Sequence, residues 1–309
     1  MKPFTTSHRF QPIEAGLEPS QPQTPNYRAY ACIMAAGSMW GCIGLFNRHL
    51  SAMGISAQAI VLLRNLGGLI LLGLIFLLFD RSVFRIRLRH LPYFLGSGLV
   101  GILLFTLCYF RSQQVSSLAV AAILLYTAPT FVVVFSAILW KDRITKKKIA
   151  ALIIAFLGCS FVTGIWSGSL SLSVNGLMLG LGSGLFYSMY SIFGRFALAH
   201  YKPFTVTFYT FLVAGIGSCF LVRPSQVAQA LESPAALLLV LGLTVFATVL
   251  PYLLYTKGLS QMDSGKASIL ASIEPVVASI MGIVAFGEPM NIGVVLGLAC
   301  ILLSVYILR

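Results

Sequence analysis

Acidic residues are scarce in this chain: eight Asp and Glu stand against 21 Lys and Arg, and charged side chains of both signs make up only 9% of 309 residues. A soluble domain carries roughly 25%, so a water-facing surface built from this sequence would lack the charge to cover it. With 58% hydrophobic residues and a mean hydropathy of +0.92, most of the surface must face lipid. Metal and redox motifs are absent too. Cys32, Cys42, Cys108, Cys159, Cys219 and Cys300 all lie in apolar runs, with no C-x-x-C spacing and no partner histidine, so they read as small buried hydrophobes. His8, His49, His90 and His200 are scattered along the chain, which argues against a metal centre. The run Gly258–Lys266 has Ser260 where a phosphate-binding loop needs glycine, and Ala267 where it needs Ser or Thr. No cofactor and no ATP-driven chemistry are expected.

What is present is a succession of long apolar segments. A helix needs about 20 apolar residues to cross a bilayer's hydrocarbon core. The sequence predicts spans near 29–50, 58–79, 92–111, 118–140, 147–164, 174–198, 203–222, 235–257, 264–286 and 291–308. Residues 1–28 differ in kind, with Pro3, Pro12, Pro19, Pro22 and Pro25 and few large apolar side chains, and read as a disordered cytoplasmic tail. No small-residue cleavage site follows an early apolar stretch, so the first span is expected to stay as an anchor.

The net charge of +13 might suggest nucleic acid, but the basic residues cluster between apolar runs, as in loops beside a membrane. No nucleic-acid partner is expected. With ten spans and both ends cytoplasmic, 17 of the 21 Lys and Arg fall on the inner side; Arg48, Arg111 and Arg223 fall outside and Arg64 lies within a span. Nine or eleven spans would put the later loops on the wrong side. The expected location is the inner (cell) membrane.

The second half repeats the first at an offset of 146 residues. Tyr109 matches Tyr255, Ala121–Leu124 matches Ala267–Leu270, and Pro129 matches Pro275. Trp140, Lys141 and Asp142 match Phe286, Gly287 and Glu288. A proline in mid-span and an acid just past the span's end recur in register. Five is odd, so successive copies enter the bilayer from opposite sides. Lys146, Lys147 and Lys148 accordingly have the uncharged counterparts Ile292, Gly293 and Val294. The fold class that follows is an all-α integral membrane protein of ten transmembrane helices, arranged as two inverted five-helix repeats over 29–164 and 174–308. Inverted repeats of this kind are characteristic of secondary transporters.

These residues resemble a known family, the drug/metabolite transporter superfamily and within it the EamA-type ten-helix exporters. Met39-Trp40-Gly41 resembles that family's early W-G pair, and Arg64 sits where members often carry Arg. Pro129 with Asp142 is similar to its proline-then-acid pattern, and Glu274-Pro275 with Gly287-Glu288 to the second copy. The resemblance covers about residues 29–308 and implies a carrier of small organic solutes such as amino acids, metabolites or drugs, with net export. The chain departs from the pattern at Asp142, where Glu is usual, and at Phe211, where a second arginine would stand.

Glu274 is the one acid deep inside a span. A charge at the bilayer centre costs at least about 2.5–3.5 kcal/mol, so this carboxyl must face a cavity or a partner. Either it is a protonatable site that couples protons or binds a cationic group, or it is a neutral acid fixing helix packing. Pro275 and Pro129 free the carbonyls of Ala271 and Leu125, which form either a polar patch or an ordinary kink. Arg64 pairs with Glu274 or a substrate carboxylate, or else satisfies backbone at a helix interface. Among the aromatics, Trp40, Tyr126 and Tyr190 are the pocket candidates, and Tyr187 with Tyr190 share a helix face. Repeated G-x-x-x-G spacings, at Gly37/Gly41, Gly176/Gly180/Gly184 and Gly293/Gly297, predict close helix packing. An enzyme is not expected, because Glu274 has no second membrane acid, serine–base pair or metal cluster beside it. A channel or membrane-bound receptor is the other alternative, and the short connections leave no room for a ligand-binding domain.

Overall fold

In the computed structural model, the described residues are 26–308 except 117, 164, 166–172, 223, 288, 289 and 291. The tail expected over 1–28 therefore lies outside the described residues, apart from its last three. Those belong to the first helix, whose start is capped by the Asn26 side chain accepting from the Ala29 N–H at 3.3 Å.

Ten helical rods follow in order: α1 Tyr27–Ala52, α2 Ala57–Phe79, α3 Leu88–Val115, α4 (Leu118–Leu125 and Ala128–Trp140) and α5 Lys146–Val162. The second set is α6 Val174–Leu198, α7 Pro203–Cys219, α8 Pro234–Leu259, α9 (Ser264–Ala271 and Glu274–Phe286) and α10 Ile292–Leu308. Expected and observed spans agree within a few residues. Two connections differ. The polar stretch after Phe110 stays helical to Val115, and a short amphipathic helix, Pro224–Glu232, lies between α7 and α8 where only a loop was expected. Outward-facing Leu, Ile, Val and Phe cover the rods, including Leu78, Phe79, Ile138, Leu238 and Val284. That apolar exterior is stable only in lipid. This is a multi-pass membrane protein.

Inversion is visible in the packing. α1 packs on α8 and α6 on α3; α1 on α9 and α6 on α4; α2 on α8 and α7 on α3. The pairs α2–α7, α4–α9 and α5–α10 join each span to its own counterpart. Exchanging every helix for the one five places later leaves this pattern unchanged. Backbone irregularities obey the same rule. π-helical turns occupy Gly96–Leu104 of α3 and Val245–Val249 of α8. α4 breaks at Tyr126–Thr127 and α9 at Ser272–Ile273; α4 ends on Lys141 (φ 55°) and α9 on Gly287 (φ 66°). Both the breaks and the left-handed ends lie 146 residues apart.

The prolines explain the breaks. Pro129 and Pro275 each sit in the first turn of the second half-helix, where a missing N–H costs nothing and the fixed φ suits a helix start. The glycine faces of α1 and α6 lie against these breaks. A Cβ on Gly37 would come 2.9 Å from the Ala271 carbonyl oxygen, and one on Gly184 2.9 Å from that of Leu124. Such contact requires glycine. The first and last described residues lie on one face of the molecule: Asn26 Nδ2 donates to Gln261 Oε1 at 2.9 Å, and Tyr30 Oη to the Leu308 carbonyl at 2.9 Å. This face also carries the Arg81–Arg89 and Lys141–Lys148 clusters and is called the basic face below.

Candidate functional site

The two breaks meet across a cavity of about 420 Å³, open volume included, lined from α4 by Tyr126 and Pro129, from α6 by Tyr187, Ser188, Tyr190 and Ser191, from α8 by Tyr255, and from α9 by Ser268, Ser272 and Glu274. Local sequence accounts for each placement. Ser188 and Ser191 are three apart, and Ser268 and Ser272 four apart, so each pair shares the helix face carrying the tyrosines or Glu274. Glu274 is the first residue after the α9 break, so its side chain leaves the helix end and points into the gap. It has no hydrogen bond and no ion pair within 4.0 Å among the described residues.

Three sequence candidates, Tyr126, Tyr190 and Glu274, come together here with Pro129. Pro275 is buried behind Glu274 and shapes the break. Trp40 does not reach the cavity. Its indole packs edge-on against Tyr252 (centroids 5.1 Å) and tilted against Tyr255 (5.2 Å), because α1 approaches α8 too closely to leave an opening there. Tyr190 in turn packs on Tyr252 at 5.1 Å and Tyr255 at 5.8 Å, and Phe211 on Tyr252 at 5.0 Å. Such aromatic pairs each contribute about 0.5–1.5 kcal/mol beyond burial, so Trp40 buttresses the wall.

Arg64 is likewise set back. It forms no ion pair with Glu274 within 4.0 Å; its guanidinium sits beside Tyr252 and acts on Glu274 through space. The Arg64 Nε and the Trp40 Nε1 are both buried without a hydrogen-bond partner. The cavity serines were missed by the sequence reading, although their i, i+3 and i, i+4 spacing was a readable signal. Hydrogen bonds fix the wall: Tyr190 Oη to Thr256 Oγ1 at 2.8 Å and Tyr255 Oη to Ser191 Oγ at 2.7 Å. Tyr255→Phe leaves the Ser191 hydroxyl without this partner and is expected to cost about 1 kcal/mol of stability. Thermal unfolding in detergent checks that value, and a loss within error of zero would mean that the bond is not formed.

At the basic face, charged side chains at the ends of α4, α5, α6 and α9 pair with one another. Arg195 of α6 forms a bidentate pair with Asp142, past the end of α4, and stacks 4.3 Å above the Trp140 ring. Lys148 of α5 bonds Asp263, ahead of α9, at 2.9 Å. The two carboxyls contact each other. Burial, then Asp263, lift Asp142 above its ordinary value although Arg195 pulls it down. Burial also pushes Asp263 up, but Asp142, Lys148 and the Lys266 N–H together bring it below the ordinary value. On acidification Asp142 therefore protonates first. The stabilisation from Asp263 is complete above the ordinary Asp value of 3.8 and is lost as pH falls through its lowered one. Infrared difference titration is expected to lose a carboxyl band titrating above the ordinary Asp value in Asp142→Asn and one titrating below it in Asp263→Asn; the opposite pattern would reverse the assignment. His90 and His200, far apart in sequence, are also brought together on this face, with rings stacked at 4.3 Å. The described residues hold no group of three or more potential metal ligands.

Residues 27–164 and 174–309 match the EamA-like transporter family. The chain belongs to the EamA-like transporter family. It is a small-solute transporter, and the two matched segments are its two halves. An uncharacterized transporter of Archaeoglobus fulgidus is 27% identical over 223 residues, covering 72% of this chain and 79% of the relative. The uncharacterized inner membrane transporter YicL of Salmonella typhimurium is 25% identical, with 89% and 93% covered. The threonine/homoserine exporter RhtA of the same species is 28% identical over 184 residues, 59% of each chain. A solved structure titled "Crystal structure of protein" superposes with a TM-score of 0.77 at 19% identity over 92% of this chain and 96% of the other, which supports the fold.

Proposed function

We propose that this transporter is a secondary exporter of small organic solutes bearing an amino group, working by alternating access with the Glu274 cavity as its binding site. The observation that carries this reading is the Glu274 carboxyl group, without a partner among the described residues, in a wall of Tyr126, Tyr187, Tyr190 and Tyr255. An ammonium group satisfies a carboxylate, and tyrosine faces attract a cation and pack on an apolar body. Serine hydroxyls on α6 and α9 supply the remaining hydrogen bonds. The arrangement thus selects a small amine with an apolar or hydroxylated remainder. RhtA, named for two hydroxylated amino acids, is a relative whose cargo has that chemistry.

The mechanism needs no covalent step. The paired repeats rock about α2–α7 and α5–α10, opening the cavity to one face and then the other. With the basic face cytoplasmic, as the positive-inside rule requires, both chain ends lie in the cytoplasm of an inner membrane. Protons are the coupling ion, because protonation of Glu274 would release the amine. Reconstitution tests this reading. Liposomes loaded with a mixture of labelled amino acids should show saturable efflux driven by a proton gradient, without single-channel currents. Channel currents, or flux of anions only, would refute it.

A further inference from the structure

The charge network at the basic face joins the two repeats at two points. Lys148 and Asp142 belong to the first repeat, Asp263 and Arg195 to the second. Apart from each other and the Asp142 carboxyl, Lys148 and Asp263 bind only local backbone among the described residues: the Lys148 Nζ also donates to the Arg143 carbonyl at 3.3 Å, and Asp263 Oδ1 caps α9 through the Lys266 N–H at 2.9 Å. Arg195 adds a weak contact to Ser264 Oγ at 3.4 Å. Behind this layer Gly265 is pressed against Val133, so that a Cβ there would lie 2.9 Å from Val133 Cγ2. The basic mouth is thus sealed by charge outside and by close packing inside.

The repeat makes a direct comparison with the opposite mouth. At the 146-residue offset, Lys148 corresponds to Val294 and Asp263 to Ser117, both uncharged, while Asp142 corresponds to Glu288 and Arg195 to His49. One of the two ion pairs has no equivalent. We propose that the Lys148–Asp263 pair, joined through Asp142 to Arg195, is a one-sided latch that holds the basic mouth of the cavity shut in the resting transporter. Rocking of the repeats must pull both ion pairs apart before the cavity can open on that face. At the other face the positions equivalent to Lys148 and Asp263 carry no charge, so opening there has no counterpart of this pair to separate. The latch therefore biases the empty protein toward the state closed at the basic face, and a solute arriving from that face must compete with it.

The inference rests on the alternating-access reading, so its test reads mouth closure without any solute. Ser272→Cys places a thiol in the cavity, and its reaction with a membrane-impermeant maleimide is followed in inside-out and right-side-out vesicles, against the same chain without the added cysteine. Asp263→Asn should speed labelling from the basic face by about tenfold, the effect of shifting a two-state equilibrium by about 1.4 kcal/mol, and slow it from the other face. The double variant Lys148→Asp with Asp263→Lys restores the pair in reverse and should return labelling to its starting rate. Labelling from the basic face within twofold of the parent in Asp263→Asn, or failure of the reversed pair to slow it again, overturns the latch. A protein that labels as expected yet moves no solute overturns the transport reading and leaves the latch standing.

Discussion

Glu274→Gln is expected to lower efflux of an amino-bearing solute by roughly 30-fold or more, the consequence of losing about 2–5 kcal/mol when one member of a buried charge pair is removed. Glutamine keeps the size and hydrogen-bonding oxygen of glutamate but cannot carry charge or release a proton. The fold should therefore survive, with unchanged elution in detergent and an unchanged unfolding midpoint. The half-buried Arg64 beside Tyr252 no longer sees an anion, yet its contacts to the aromatic wall remain. What should disappear is the dependence of transport on pH, since no other acid lines the cavity among the described residues. Glu274→Asp should retain part of the activity, because it preserves charge and shortens reach by one methylene. A glutamine variant that transports at the normal rate with its pH dependence intact would make Glu274 a packing residue and remove the basis for an amine substrate.

The second large effect is on the scaffold. Gly41→Leu should abolish a stable fold, or lower the unfolding midpoint far more than the same change at Gly44. A Cβ on Gly41 would stand 2.7 Å from the Glu274 carbonyl oxygen and 2.9 Å from the Ala278 nitrogen, whereas nothing lies within 4 Å of one on Gly44. Overpacking typically costs about 1–3 kcal/mol where side chains can yield. Here the obstacles are backbone atoms of α9, which cannot rotate away, so the cost falls at the upper end or beyond. The displacement would also push Glu274 off its place at the break. Thermal unfolding of the two variants in one detergent decides the matter, and equal midpoints would show that α1 and α9 do not meet as closely as described.

The membrane class, the ten spans and the inversion were legible before any coordinates, because each follows from solvent. A bilayer demands apolar segments of fixed length, and it sorts basic loops by side. Legibility was poorer where the third dimension chooses among equals. Trp40 and Tyr190 are both mid-span aromatics, and only the closeness of α1 to α8 assigns one to the buttress and the other to the cavity. For Arg64 the sequence left open a pair with Glu274, a substrate carboxylate or backbone at a helix interface, and the helix rotations leave it beyond bonding distance of Glu274. The cavity serines drew no notice, since serine in a membrane helix most often bonds its own backbone, as Ser188 does to the Leu185 carbonyl at 2.6 Å.

Hydropathy and charge placement, which are sums along the chain, determined by themselves that this protein spans a membrane as two opposed copies and that Glu274 must find a protected setting. The tertiary structure alone decided what that setting is. It brought the α4 and α9 breaks together and joined Lys148 to Asp263 across 115 positions of sequence. It also put Tyr255, and not Trp40, on the cavity wall. The physical reason is that lipid rewards any apolar helix face equally, so facing directions are set only by which backbones fit against which, and that fit is a property of helices in pairs.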